Sequence, residues 1–312
     1  MKLSFDSNNM VPVRALLALA VLLGHFQFFD VPGLMPYRHL APPSVAMFLF
    51  ISGYGLAHSY QQKGRSNLHS FFKRRLFRIV LPALLVSLLF ILLFGMGGIG
   101  LLERVKLIVT KGKTLMPHYW FVWTILLFYL LFWASYRLLG GWKARLVVLA
   151  GVALYTVATI VSGFDRCWWI CSLAFPTGLY FARFRDDIFC FCSKRKINYW
   201  LLIILATIVF GGFFLTGEPV LWTFCYVFIP FIGALVIARL PLDKLQLPIL
   251  RFLGIISYEI YLVHITVMRL LRGSFYQISS NFLYVAAVVV LSIAMAYVIH
   301  LLCRWITQMV TR

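Results

Sequence analysis

Residues 11–30 read VPVRALLALAVLLGHFQFFD. Apart from Arg14, His25, Gln27 and the closing Asp30 the run is apolar. About 20 residues rising about 1.5 Å each cross the roughly 30 Å hydrocarbon core of a bilayer. Only Lys2 supplies positive charge ahead of the run, and no convincing small-x-small cleavage site follows it. The segment therefore reads as a retained membrane helix and not as a signal peptide. Runs of the same kind fall near 42–60, 78–96, 118–139, 144–163, 167–183, 197–215, 220–238, 251–270 and 282–306, that at 167–183 being the shortest. Together they predict an all-α, polytopic integral membrane protein of about ten transmembrane helices. No repeat, Gly/Ser linker or low-complexity stretch divides the chain, so a single transmembrane domain is expected over 1–312.

Composition points the same way. Of 312 residues 62% are apolar and only 12% charged, with a mean hydropathy of +0.91. Soluble domains run about half apolar and about a quarter charged. A sizeable extramembrane domain is excluded, and runs that are continuous instead of alternating exclude an outer-membrane barrel. The formal charge of +20 would suit nucleic acid in a soluble chain, but hydropathy excludes such a partner. In a membrane chain the same charge follows from the enrichment of Lys and Arg in cytoplasmic loops. Counting alternate connections from the N-terminus gives twenty Lys and Arg against eight, and Arg14, inside the first helix, completes the 29. Both termini are then expected in the cytoplasm. One outer segment, residues 100–111 (GLLERVKLIVTK), puts Leu101, Leu102, Val105, Ile108 and Val109 on one face. It reads as an interfacial helix, either anchored to anionic membrane lipid or greeting an anionic acceptor.

Ionisable groups within the hydrocarbon are costly and mark functional candidates. Arg14 and His25 are eleven residues apart, which in an α-helix returns to within about 20° of the same face, about 16 Å along the axis. A cation at a tunnel mouth and an imidazole deeper in suit an anionic donor delivered to a base; snorkelling of Arg14 to the headgroups and packing of His25 form the plainer account. The Ser52-Gly53 step within MFLFISGYG permits close approach of either a helix or a substrate. Arg74, Arg75 and Arg78 lie in FFKRRLFRIVLP, the densest cationic patch, suited to a polyphosphate or to anionic lipid. His118 and Trp120 open the fourth run at an interface. Ser257, Tyr261 and His264 follow helical spacing on one face, and Glu259 is the one carboxylate well inside a run. His264 fits a packing hydrogen bond or a second interior polar site, and His300 reads as packing. The six cysteines lack zinc-ligand spacing. Phosphate-loop, nucleophile-elbow, zinc-helix and paired-carboxylate motifs are absent. No metal and no permanently bound cofactor is expected.

Taken in order, these segments resemble the membrane acyltransferase-3 family of polytopic bacterial acyltransferases. Arg14 and His25 match its arginine, ten residues, histidine motif. Phe48 to Tyr54 is similar to its Phe-Phe-x-x-Ser-Gly-Phe segment, with Leu49 and Tyr54 substituted. Phe72 to Pro82 resembles its basic Arg-Arg-x-x-Arg-Ile-x-Pro connection, with the proline one residue later. His118 to Phe121 and Ser257 to His264 resemble its His-x-Trp-Phe and Ser-Tyr-x-x-Tyr-Leu-x-His segments. The resemblance implies a multi-pass enzyme of the bacterial inner membrane. It would transfer an acyl group, most often acetyl, from acyl-coenzyme A as co-substrate to a sugar hydroxyl of a lipid-linked or cell-surface glycan. Arg74, Arg75 and Arg78, with Arg14, would hold the donor phosphates, and His25 would act as base or carry the acyl group. The alternative is a transporter or flippase of a lipid-linked glycan that consumes no acyl donor. Chain length of the acyl group, acceptor position and oligomeric state are not encoded legibly.

Overall fold

The computed structural model describes residues 3–5, 10–29, 31–95, 97–240, 247–273 and 275–311. Lys2, Lys244 and Arg312, counted above among the cytoplasmic charges, lie outside the described residues. Among the described residues fourteen α-helices follow one another: α1 (Met10–His25), α2 (Ala41–Lys63), α3 (Ser66–His69), α4 (Phe71–Arg75), α5 (Leu81–Phe94), α6 (Leu101–Lys111), α7 (Trp120–Leu138), α8 (Gly141–Val161), α9 (Ala174–Lys194), α10 (Lys196–Leu215), α11 (Trp222–Arg239), α12 (Pro248–Ile255), α13 (Ser257–Leu271) and α14 (Asn281–Thr311). Among the described residues no β-strand occurs.

Among the described residues eight helical stretches are long and apolar enough to cross a membrane: Met10–Phe29, Pro32–Lys63, Phe71–Phe94, Pro117–Leu138, Gly141–Val161, Lys196–Leu215, Trp222–Arg239 and Asn281–Val310. The pair α12 and α13, bent by 73°, makes a ninth when taken as one broken span. The chain is thus an all-α polytopic membrane protein. These nine stretches correspond to nine of the ten apolar runs. The tenth, expected at 167–183, starts later, at Ala174, and runs on to Lys194. Arg183, Arg185, Asp186 and Asp187 stand around its middle, and that charge keeps α9 out of the set of apolar crossing helices. The expected placement of both termini on one side therefore depends on whether α9 crosses.

The chain falls into two compact units. The first comprises residues 1–10, 42–69 and 123–246. Its tightest packing is the crossing of α2 and α9. A Cβ built on Gly53 would lie 2.1 Å from the Phe175 carbonyl oxygen, and one on Gly178 would lie 2.1 Å from that of Phe50. Each helix therefore presents a glycine to the other's backbone, and the small step at Ser52-Gly53 is accounted for by helix packing. The N-terminal segment is tied in beside them. Tyr54 donates its hydroxyl to the Phe5 carbonyl at 2.8 Å, and Arg185 donates to the Tyr54 hydroxyl at 3.0 Å.

The second unit comprises residues 11–41, 70–122 and 247–312. Its axis is α13, on which all of Glu259 to Met268 is buried. A helix apolar around its circumference has to be enclosed by others; here α5, α12 and α14 pack on it. Helix α12 meets α1 through Gly254, whose Cβ would fall 2.0 Å from the Val11 carbonyl oxygen. Between α4 and α5 residues Leu76–Val80 form one π-helical turn. Its cause is Pro82: the ring has no N–H to give the Arg78 carbonyl and crowds it, so the turn upstream widens. Tyr258 donates its hydroxyl to the Ile79 carbonyl at 3.1 Å, satisfying a group within that turn. The outer segment expected at 100–111 is α6, with Leu101, Leu102 and Val109 all at least 70% exposed.

Candidate active site

His25 is the last residue of α1, where the chain passes into a tighter 3₁₀ turn over Phe26–Phe29. His118 sits in another short 3₁₀ turn, Pro117–Tyr119, that leads into α7; Pro117 suits such a start because its missing N–H would have had no partner there. His264 stands midway along α13. Within the second unit these three imidazoles meet. Ring centroids are 4.9 Å apart for His25 and His264, 5.0 Å for His118 and His264, and 6.5 Å for His25 and His118. Tyr261 borders the cluster and donates its hydroxyl to the His118 carbonyl, and the Tyr119 hydroxyl donates to the Ala83 carbonyl at 3.1 Å.

The hydrogen bonds assign the protons. A carbonyl oxygen only accepts, so a ring nitrogen bonded to one carries a hydrogen. His264 Nδ1 lies 2.7 Å from the Tyr261 carbonyl, and is therefore its N–H. In the neutral ring Nε2 is then the acceptor. It lies 3.0 Å from His25 Nδ1, which must donate. The His25 lone pair is left on Nε2. By the same logic His118 donates from Nε2 to the Leu262 carbonyl at 3.1 Å, and its lone pair is on Nδ1. That Nδ1 is buried and makes no hydrogen bond among the described residues. A buried acceptor left unmade costs about 1–3 kcal/mol. Among the described residues no group of three or more His, Cys, Asp or Glu side chains is arranged to hold a metal ion.

The other sequence candidates divide. Helix α1 is continuous from Arg14 to His25, so their eleven-residue spacing keeps its meaning, and Arg14 is half-buried. Trp120 is buried against Phe121, with centroids 6.0 Å apart, beside the cluster but outside its hydrogen bonds. Ser52 belongs to the first unit, beside the Gly53 crossing. Arg74 donates to the Ser70 hydroxyl, and Arg75 lies over the Phe71 ring at 5.5 Å. Arg78 is exposed within the π turn, a geometry frequent at functional sites. Glu259 faces away from the histidines. It accepts from His300 Nδ1 at 2.9 Å across α13 and α14. His300 thus has a polar partner that sequence, which reads it as packing, did not supply. Removing one member strands the other in an apolar setting. Glu259→Leu should therefore lower the detergent melting temperature more than the double replacement Glu259→Leu/His300→Leu. Equal losses would mean that the pair is not coupled.

A family model described as an acyltransferase domain matches residues 13–301. The chain belongs to the acyltransferase-3 family. The match takes in every candidate from Arg14 to His300 and runs through both compact units. No curated protein and no solved structure matches the chain. Membership makes this a membrane acyltransferase, and its histidine cluster is the natural place to look for the transfer. Sequence paired His25 with Arg14 along one helix. It could not pair His25 with His264, which is 239 positions away; the only available signal was a second histidine inside another apolar run.

Proposed function

We propose that this acyltransferase moves an acyl group, most simply acetyl, from acyl-coenzyme A to a hydroxyl of a cell-surface or lipid-linked glycan. Its place would be the bacterial inner membrane, with the donor entering from the cytoplasm. The observation that carries the reading is the bond from His25 Nδ1 to His264 Nε2, which leaves His25 Nε2 as a proton acceptor held in one orientation. In the transfer, Nε2 takes the proton of the acceptor hydroxyl as its oxygen attacks the thioester carbonyl. The carbon–sulfur bond breaks, and the departing thiolate takes the proton back from His25. The products are the acyl ester and free coenzyme A. His264 is a positioning residue that fixes the tautomer of His25, as a second hydrogen-bond partner does for other catalytic imidazoles. The lone pair on His118 Nδ1 supports a further donor arriving with the substrates.

Arg74, Arg75 and Arg78, together with Arg14, are assigned to the donor phosphates, since guanidinium groups grip phosphate oxygens in pairs. Arg74→Ala combined with Arg78→Ala should raise the KM for acyl-coenzyme A about tenfold or more, one charge-assisted contact being worth about 1.5–3 kcal/mol. The kcat at saturating donor should stay within a few-fold. Lysine at both positions should restore the affinity only in part. An unchanged donor KM would remove these arginines from the site.

The test of the reaction itself is mass spectrometry of surface glycans from cells with and without the gene. A difference of one acyl unit supports the reading and identifies donor and acceptor together. Unaltered glycans alongside altered glycan export would favour a flippase.

A further inference from the structure

Beyond the end of α1, on the side of His25 away from Arg14, the second unit holds a pocket of about 510 Å³. Such a volume lies within the range of small-molecule sites. Phe28 and Phe29 form its apolar wall, and Arg272, Gln277, Ser279 and Asn281 its polar one. The polar wall is built and not merely exposed. Arg272 donates from Nε and Nη2 to the Ile278 carbonyl at 3.1 and 2.8 Å, and from Nη2 to Asn281 Oδ1 at 3.0 Å. It also donates from Nη1 to the Phe29 carbonyl at 3.2 Å, and its guanidinium lies 4.0 Å from the centre of the Tyr284 ring. One side chain thus clamps the end of the α1 segment to the loop before α14. The apolar wall leads to the imidazoles: Phe28 stacks on His25, with centroids 5.5 Å apart and planes 24° from parallel, while remaining 58% exposed.

We propose that this pocket is the subsite for a sugar ring of the acceptor; the proposal rests on the glycan reading above. A pyranose has a face of C–H groups that packs on an aromatic ring and a rim of hydroxyls that need partners of both polarities. Phe28 offers the ring, and Gln277, Ser279 and Asn281 offer neutral donors and acceptors. The chemistry does not suit the donor nucleotide. The one guanidinium has its N–H groups committed largely to carbonyls, and no second cation lines the wall. It does not suit a lipid tail either, because four of its seven lining residues, Arg272, Gln277, Ser279 and Asn281, are polar. A sugar seated here lies against Phe28, the ring that itself stacks on His25.

The test uses the full chain in detergent and saturation-transfer NMR with a panel of methyl hexosides and methyl N-acetylhexosaminides. Wild type and His25→Gln should both pass saturation to the glycoside ring protons. The signal should fall about twofold to tenfold in Phe28→Ala, the fold-change for an aromatic contact of about 0.5–1.5 kcal/mol, and about fivefold in Gln277→Ala, that for one hydrogen bond of about 1 kcal/mol, while Phe28→Trp should retain it. Phe28 is exposed enough for its loss to leave the core intact, which a thermal melt of each variant checks. No transfer to any glycoside, or equal transfer in all variants, overturns the subsite. The two proposals fail separately. Normal acyl transfer with an unchanged acceptor KM in Phe28→Ala and Gln277→Ala removes the pocket and spares the chemistry. Glycoside binding by a wild-type chain that transfers no acyl group removes the chemistry and spares the pocket.

Discussion

His25→Ala should lose acyl transfer by about 10²- to 10⁴-fold, the usual contribution of a positioned general base. The loss belongs in kcat, because the imidazole acts on a hydroxyl already bound. His264→Ala should lose less, about tenfold to a hundredfold, because it removes the group that orients the base and not the base itself. The informative variant is His264→Gln. Its amide oxygen can accept from His25 Nδ1 as the His264 ring does at 3.0 Å, so it should recover much of the activity that alanine loses, whereas a residue needed only to fill space would gain nothing specific from that oxygen. Quenched single-turnover reactions with labelled donor then separate the two roles open to His25. Label retained on the protein in wild type and absent in His25→Ala indicates a covalent acyl-histidine. Transfer without label supports direct attack. Full activity in His25→Ala would end both.

The second large effect concerns stability. Gly53→Ala and Gly178→Ala each set a methyl group 2.1 Å from a backbone carbonyl oxygen of the opposing helix. A side chain could rotate away; a carbonyl inside a helix cannot. Overpacking of a core costs about 1–3 kcal/mol and more when nothing can yield. Both variants should therefore show sharply reduced membrane yield or an apparent melting temperature about 10 °C lower. Gly55→Ala is the control: it lies two positions further along the same helix and meets nothing within 4 Å. There alanine should be neutral or slightly stabilising, since glycine weakens a helix interior by roughly 0.5–1 kcal/mol. A similar loss at Gly55 would assign the effect to helix propensity and not to the crossing.

The fold class was legible because membrane solvation constrains sequence so strongly: the runs at 11–30 and 282–306 have no other stable home. The boundaries of α9 were not, because Trp168, Trp169 and Ile170 continue the apolar pattern ahead of the helix and are buried in a 3₁₀ turn and the turns that follow it. The bend at Ile256 escaped for a similar reason. Residues 251–270 read as one continuous, largely apolar run, and nothing local to Gly254-Ile-Ile-Ser257 demands a 73° turn; the close approach to Val11 is a tertiary fact. The reverse holds for the π turn, whose cause, Pro82, is written in the sequence, although periodicity alone reads through it. As for the site, each histidine could be nominated singly from its place in an apolar run, as could Tyr261. Their mutual arrangement could not, because it arises where helices far apart in the chain pack together.

The link between Glu259 and His300 bears on how the protein is made. A carboxylate midway along a span opposes insertion by about 2.5–3.5 kcal/mol. Here it belongs to α12 and α13, already burdened by a sharp corner, and its partner is synthesised some forty positions later on α14. The earlier segment is thus a poor candidate for release into lipid by itself. It gains a settled position only when the final helix arrives to cover its acid, so the two would enter the bilayer as a hairpin. Nascent chains halted before α14 would leave the helix carrying His264 unsheltered, and the histidine cluster would stay unfinished until that helix is made.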